Sequence, residues 1–180
     1  MLGVPRELAE HRLRVDSKVK PVKEHLRRSA VQKRKAIGEE VARLLAAEFI
    51  REIYHSEWLA NVVMVPKKDK SLRMCINFKH INRACPKDHF PLPRIDQIVD
   101  STAGCERLSF LDAYSGYHQI RMYGPDKTAF ITPFGCFCYI TMPFGLKNAG
   151  ATFMRMIQKC LLTQISWNVE AYMDDIVVKS

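Results

Sequence analysis

The chain carries Tyr172-Met173-Asp174-Asp175 between two short apolar runs, Val169-Glu170-Ala171 and Ile176-Val177-Val178, and no other stretch constrains its fold as strongly. Two β-type runs separated by a tight polar pair read as a β-hairpin. Asp174 and Asp175 then stand at its tip, where two like charges repel unless a cation neutralises them. An ordinary turn is the competing reading, because Asp hydrogen-bonds its own backbone in turns.

Upstream, residues 1–30 are polar and basic, with little periodicity, and read as a linker or arm of a polyprotein that orders only when docked. Residues 31–180 read as one unit. Ile37, Val41, Leu44 and Leu45, with Glu48 at the border, predict a helix over about Gln32 to Ala47. Gly38 weakens it. Val62 to Val65 predicts a strand stopped by Pro66, and Arg73 to Phe78 returns after the charged turn 67–71. Pro86, Pro91 and Pro93 make 85–93 an irregular connector. A short helix, Arg94 to Ser101, precedes a buried strand, Leu108 to Leu111, whose end delivers Asp112.

Ala129 to Thr132 and Cys136 to Thr141 are strands around the Pro133-Phe134-Gly135 turn. Asn148 caps a helix to about Leu162, with Phe153, Met156, Ile157 and Cys160 on its apolar face. This order predicts an α+β fold, with helices packed on a mainly antiparallel sheet.

Composition narrows the function. With 180 residues and 47% hydrophobic content the chain can bury one sizeable core. No apolar run approaches the ~20 residues of a membrane span, and the start lacks a signal-peptide core. The expectation is a cytoplasmic or nuclear chain, not secreted and with no membrane partner. The six cysteines form no C-x-x-C pair and read as free thiols. Residues 1–94 hold 21 Lys+Arg against 11 Asp+Glu, whereas residues 95–180 hold 7 against 8. The basic half suits a polyanion such as nucleic acid, although a solvated helix surface also explains Lys33-Arg34-Lys35.

Asp112 precedes Asp174 by 62 positions, so the two meet only if their strands lie side by side. Three convergent carboxylates with no basic neighbour select a hard ion such as Mg²⁺. Two such ions ~3.5–4 Å apart can serve an in-line phosphoryl displacement.

The surrounding sequence is more specific. Leu111-Asp112-Ala113-Tyr114-Ser115-Gly116-Tyr117-His118-Gln119-Ile120 resembles the first catalytic motif of reverse transcriptases from gypsy-type long-terminal-repeat retrotransposons. Thr132-Pro133-Phe134-Gly135 and Met142-Pro143-Phe144-Gly145-Leu146-Lys147-Asn148-Ala149 are similar to the next block, and Tyr172-Met173-Asp174-Asp175 to the second catalytic motif. The similarity extends back through Val65-Pro66-Lys67-Lys68 and Arg73-Met74-Cys75-Ile76, over most of residues 40–180.

The resemblance implies a polymerase right hand: fingers plus an incomplete palm, without thumb, connection, ribonuclease H, protease or integrase. It implies Asp112, Asp174 and Asp175 as catalytic metal ligands for two Mg²⁺, with Mn²⁺ as an alternative. Tyr117 matches the aromatic gate against a ribose 2′-hydroxyl, with a plain core tyrosine as the other reading. Arg73 and Lys67 match residues that grip a deoxynucleoside triphosphate, although Lys67 reads equally as a solvated turn residue. Phe144 would pack under base or sugar, and Lys147 and Asn148 would lie near template or nucleotide. Tyr172 and Met173 would approach the primer, with core packing as Met173's alternative, and His118 is structural. Asn77 and Lys79 stand where relatives have Asp and Arg.

The implied partners are an RNA or DNA template with its primer, deoxynucleoside triphosphates and the remaining polyprotein segments. The implied function is RNA-directed DNA polymerisation; the alternative is an inactive remnant that at most binds nucleic acid. A metal-dependent nuclease has no reason to carry Tyr117 or the Phe144 block.

Overall fold

The computed structural model describes residues 3–68, 71–113 and 115–180. Asp69 and Lys70 of the expected charged turn, Tyr114 of the Asp112 motif, and Met1 and Leu2 lie outside the described residues. The chain runs β1 (Glu10–Arg12), α1 (Val31–Ala46), β2 (Ile50–Glu52), β3 (Ala60–Pro66), β4 (Leu72–Ile76), α2 (Lys79–Ala84) and α3 (Ile95–Thr102). It continues through β5 (Leu108–Asp112), β6 (Arg121–Tyr123), β7 (Phe130–Thr132), β8 (Gly135–Tyr139), α4 (Ala149–Cys160), β9 (Val169–Tyr172) and β10 (Asp175–Lys179). Two 3₁₀ turns, Gly116–Gln119 and Pro125–Thr128, flank β6. The fold is α+β, as expected.

Three sheets share one main core. The largest has the order β2-β8-β7-β3-β4, with a parallel β3–β7 pair among antiparallel ones. The antiparallel sheet β5-β10-β9 carries the acidic residues, and β1 pairs in parallel with β6. The arm is therefore docked: Leu13 and His11 are buried, and Val4 N–H donates to the Gln119 carbonyl at 2.8 Å. Asn61, itself buried, extends its amide to Glu24 and to the His25 carbonyl.

Helix α1 buries Ile37, Val41 and Leu44, the predicted stripe. Leu45 leaves it, because one further residue turns the side chain ~100° around the helix, and it is exposed. Glu48 lies past the helix at φ 56°, where the chain bends toward β2. Gly38 has a packing reason, since a Cβ there would meet the Phe134 ring at 3.0 Å.

Two further expectations are corrected. Strand β5 is exposed along its whole length, with Phe110 at 74%, because it is the outer strand of its sheet and, among the described residues, pairs with β10 alone. Cys160 is exposed at the last turn of α4, while Phe153, Met156 and Ile157 are buried as predicted. The connector 85–93 contains no helix or strand, as its prolines require. The three-residue strands and α2 are too short to show periodicity. All six cysteines are free.

His118 packs as a flat apolar ring, stacked 4.4 Å from Phe49 and 6.0 Å from Tyr139. Its Nδ1 lies 3.3 Å from Thr141 Oγ1. Burial, helped by the Arg43 charge, lowers its pKa to about 4, and burial does the same to His11.

Two measurements test this core. Leu44→Ala should destabilise by about 2–5 kcal/mol in urea unfolding, while Leu45→Ala should cost less than about 1 kcal/mol; equal losses would contradict the assigned face. The two histidines bind fewer protons folded than unfolded, so their contribution is complete above about pH 6.5 and is lost as pH falls toward 4. His118→Gln should flatten stability against pH across that window; an unchanged slope would refute the assignment.

Candidate active site

Strands β5 and β10 run antiparallel with Asp112 directly opposite Asp175. Opposed residues of a ladder point to the same face, so these two carboxylates share one side. Tyr172 pairs with Asp175, and Met173 and Asp174 close the hairpin between them. The tip is thus Met173-Asp174 rather than the expected Asp174-Asp175. Met173 adopts φ 53°, the positive value a primed two-residue turn requires at its first central position. A non-glycine residue held there stores strain of order 1–3 kcal/mol. The Ala113 N–H donates to the Asp174 carbonyl at 2.8 Å, tying the end of β5 to the tip.

Asp174 sits among like charges. Burial foremost, then the charges of Asp112 and Asp175, push its pKa above the ordinary carboxylate value. Its Oδ1 is buried without a hydrogen-bond partner among the described residues. An orphaned carboxylate oxygen beside two more carboxylates is a place that a cation satisfies. Oxygen-only donors suit Mg²⁺, which takes one or two carboxylates and completes its shell with water and phosphate. It can bind through one or two carboxylates, and no group of three or more His, Cys, Asp or Glu placed to hold a metal ion occurs among the described residues.

Tyr117 stands beside the tip, its hydroxyl 3.8 Å from Met173 Sδ. Phe144 stacks on its ring at 4.7 Å and Phe153 approaches at 5.2 Å. Burial, then the Asp174 charge, raises the Tyr117 pKa. Gly116 allows this packing, since a Cβ would come within 2.9 Å of the Phe153 ring. Gly150 faces Met173 and the Tyr117 hydroxyl. The structure thus gathers Asp112, Asp174, Asp175, Tyr117, Phe144, Tyr172 and Met173.

Other predicted residues are placed elsewhere. Lys67, Lys68 and Arg73 line an open depression with Val65 and Pro66, which includes none of the acidic trio. Arg73 pairs with Val65 in the ladder, and Lys67 N–H donates to the Ser71 carbonyl at 2.8 Å. Lys147 Nζ donates to the Cys85 carbonyl at 2.6 Å. Asn148 occupies the N-cap position at φ 70°, yet its side chain does not cap α4. Its amide instead donates to the Pro86 carbonyl and accepts from the Asp88 N–H, both at 2.9 Å. The irregular connector offers these orphan backbone groups, and Asn148 satisfies them. Asn77 accepts the Lys79 N–H at 3.3 Å as α2 begins.

Two bracing contacts had no sequence signal, because their partners lie more than sixty residues apart. Asn82 donates to the Gly145 carbonyl and accepts from the Lys147 N–H, both at 2.7 Å, and so fixes the loop bearing Phe144. Arg155 grips Asp88 through two bonds of 2.6 Å, which holds the Asp88 pKa down at about 2.

Residues 65–180 match the family of reverse transcriptases (RNA-dependent DNA polymerases). The chain belongs to this family. It is 36% identical over 157 residues to the retrovirus-related Pol polyprotein from transposon opus of Drosophila melanogaster, covering 83% of this chain and 16% of that one. An RNA-directed DNA polymerase homolog from Oenothera berteroana is 39% identical over 110 residues, 60% of this chain and 78% of its own length. The Tf2-3 transposon polyprotein of Schizosaccharomyces pombe is 35% identical over 150 residues, 82% of this chain and 11% of that one.

The prototype foamy virus protease-reverse transcriptase shares the fold, with a TM-score of 0.82 at 20% identity over 95% of this chain and 23% of that chain. The chain therefore spans under a fifth of the Drosophila and fission-yeast polyproteins and corresponds to a fragment of such proteins. Reverse transcriptases generally use divalent metal ions.

Asn148→Ala should speed hydrogen exchange at the Asp88 amide while leaving the first-turn amides of α4 unchanged. Faster exchange in α4 alone would restore the capping role.

Proposed function

We propose that this chain is the fingers and partial palm of an RNA-directed DNA polymerase from a gypsy-type retrotransposon polyprotein. The observation that carries this reading is the β5–β10 register, which sets Asp112 opposite Asp175 beside the orphaned Asp174 oxygen. The structure of the foamy viral protease-reverse transcriptase in complex with an RNA/DNA hybrid supports a primed template as the partner here.

In the proposed reaction the primer 3′-oxygen bonds to the α-phosphorus of a deoxynucleoside triphosphate and pyrophosphate leaves. Asp112, Asp174 and Asp175 would hold Mg²⁺, or Mn²⁺ in its place, which supplies charge neutralisation at the transferring phosphate. Tyr117, buttressed by Phe144, excludes a 2′-hydroxyl by occupying its space. Arg73 and Lys67 hold the triphosphate, Arg73 through the paired donors of its guanidinium. Tyr172 and Met173 set the primer end. Lys147 and Asn148 keep the connector beside template and nucleotide. The rate advantage comes from positioning and preorganised charge.

A second reading, binding of nucleic acid without catalysis, is favoured by the uncovered faces of β5, the one strand of the acidic sheet that is exposed at every residue. Primer extension on an RNA template with Mg²⁺ separates the two. Asp174→Asn should lower incorporation by on the order of a hundredfold or more, and Tyr117→Ala should increase ribonucleotide use relative to deoxynucleotides. Incorporation that survives Asp174→Asn would exclude this site; salt-sensitive binding with no incorporation would select the second reading.

A further inference from the structure

Outside the acidic site, a cavity of about 380 Å³ lies between the docked arm, the connector and α4. Its size falls within the range of small-ligand sites. His11 contributes to its lining and is 1% exposed. The ring makes one contact, Nδ1 to Thr152 Oγ1 at 2.8 Å, and Nε2 is buried with no partner among the described residues. When the Thr152 hydroxyl donates to Nδ1, the neutral ring keeps its proton on Nε2, as a donor. Burial keeps the ring neutral at pH 7. A buried donor without an acceptor is costly, and a ligand oxygen relieves it.

The walls are cationic. Arg14 and Lys87 line the cavity, are exposed, and form no ion pair among the described residues. Arg12 lies over the Tyr123 ring at 3.6 Å, so its charge is present while its position is fixed. The Asp88 carboxylate is already matched by Arg155, and Glu10 by Arg6 at 3.8 Å. The surplus positive charge around a buried N–H suits an oxyanion.

This site is separate from the acidic one. Thr152 follows Gly150 by two residues, so the two project from nearly opposite sides of α4. Gly150 faces Tyr117 and Met173, whereas Thr152 faces His11.

We propose that this cavity binds a phosphate oxyanion, with His11 Nε2–H as the buried donor and Arg14 and Lys87 supplying charge. Phosphodiesters of a nucleic-acid strand and free phosphate or pyrophosphate share this chemistry. Asn148 and the connector line this cavity too, so its test reads binding at His11, Arg14 and Lys87 rather than nucleotide incorporation.

The 180-residue chain would be titrated at low salt with single-stranded oligodeoxythymidine and, separately, with pyrophosphate. The readouts are the His11 ring Cε1–H resonance by isotope-edited NMR and the dissociation constant. Ligand binding should move the His11 resonance and raise its titration midpoint. Arg14→Ala and Lys87→Ala, both surface changes that spare the core, should each weaken binding. If the strand is the ligand, each should also reduce the slope of log K against log salt by about 0.7. A response to the oligonucleotide identifies a strand site, and a response to pyrophosphate alone identifies a free-phosphate site. A His11 resonance unmoved by both ligands, or unchanged affinity in both variants, would overturn the proposal.

Discussion

The pairing of β5 with β10 is the constraint on which the site depends. Side chains alternate across a strand, so a one-residue slip would turn Asp112 to the face away from Asp175. Burial cannot enforce the register, because every residue of β5 is exposed. The ladder is instead closed at both ends. Arg107 and Ser180 exchange N–H···O bonds of 3.1 Å at one end, and Ala113 N–H meets the Asp174 carbonyl at the other. Lys179, nearly buried, adds bonds to Glu170 at 2.8 Å and to the Ser101 carbonyl at 3.0 Å. Backbone bonds thus hold β5 in register, while the Lys179 ammonium and the buried Val169, Ala171 and Val177 fix the β9–β10 side of the sheet.

That arrangement leaves strain and charge at one point. Met173 is held at positive φ, and Asp174 has a raised pKa and an oxygen without a partner among the described residues. Neither feature helps the fold. Both are what a site for cations and phosphates would need, since the cost is relieved only when opposite charge arrives. Local disagreement with the rules of stable structure is concentrated at the hairpin tip, while α1 and α4 obey those rules.

The legible parts of the fold were those with local causes. The stripe Ile37, Val41, Leu44 specified α1, three prolines specified the connector, and apolar runs around the acidic pair specified the last hairpin. What escaped had non-local causes. Leu108 to Leu111 looks like a core strand by composition, yet its burial depends on what covers the sheet, and Phe110 is open. Asn148 has the chemistry of a cap, but the orphan groups at Pro86 and Asp88 lie sixty residues away. The arm shows no periodicity, and its docking rests on contacts far away in sequence: β1 with β6, buried His11 and Leu13, and backbone bonds to Gln119, Ala84 and Leu59. Of the site, the carboxylates and Tyr117 were readable because motif and geometry coincide there. The bracing by Asn82 was not.

The floor beneath Tyr117 shows why such bracing matters. Phe144 reaches the ring from a loop that forms neither helix nor strand, and the connector beside it is equally irregular. Loops of this kind take their order from side-chain bonds to backbone groups, each worth about 1 kcal/mol net. Asn82 secures the Phe144 loop, Lys147 and Asn148 secure the connector, and Arg155 secures Asp88 within it. These bonds form a chain from α2 through the loop to α4, the helix that also carries Gly150 and Thr152. Helix α4 therefore divides two polar regions whose positions are set by the same few amide and guanidinium contacts. Removing one contact releases a short segment of backbone and leaves the hydrophobic core intact, so its effects should be local in stability and larger in site geometry.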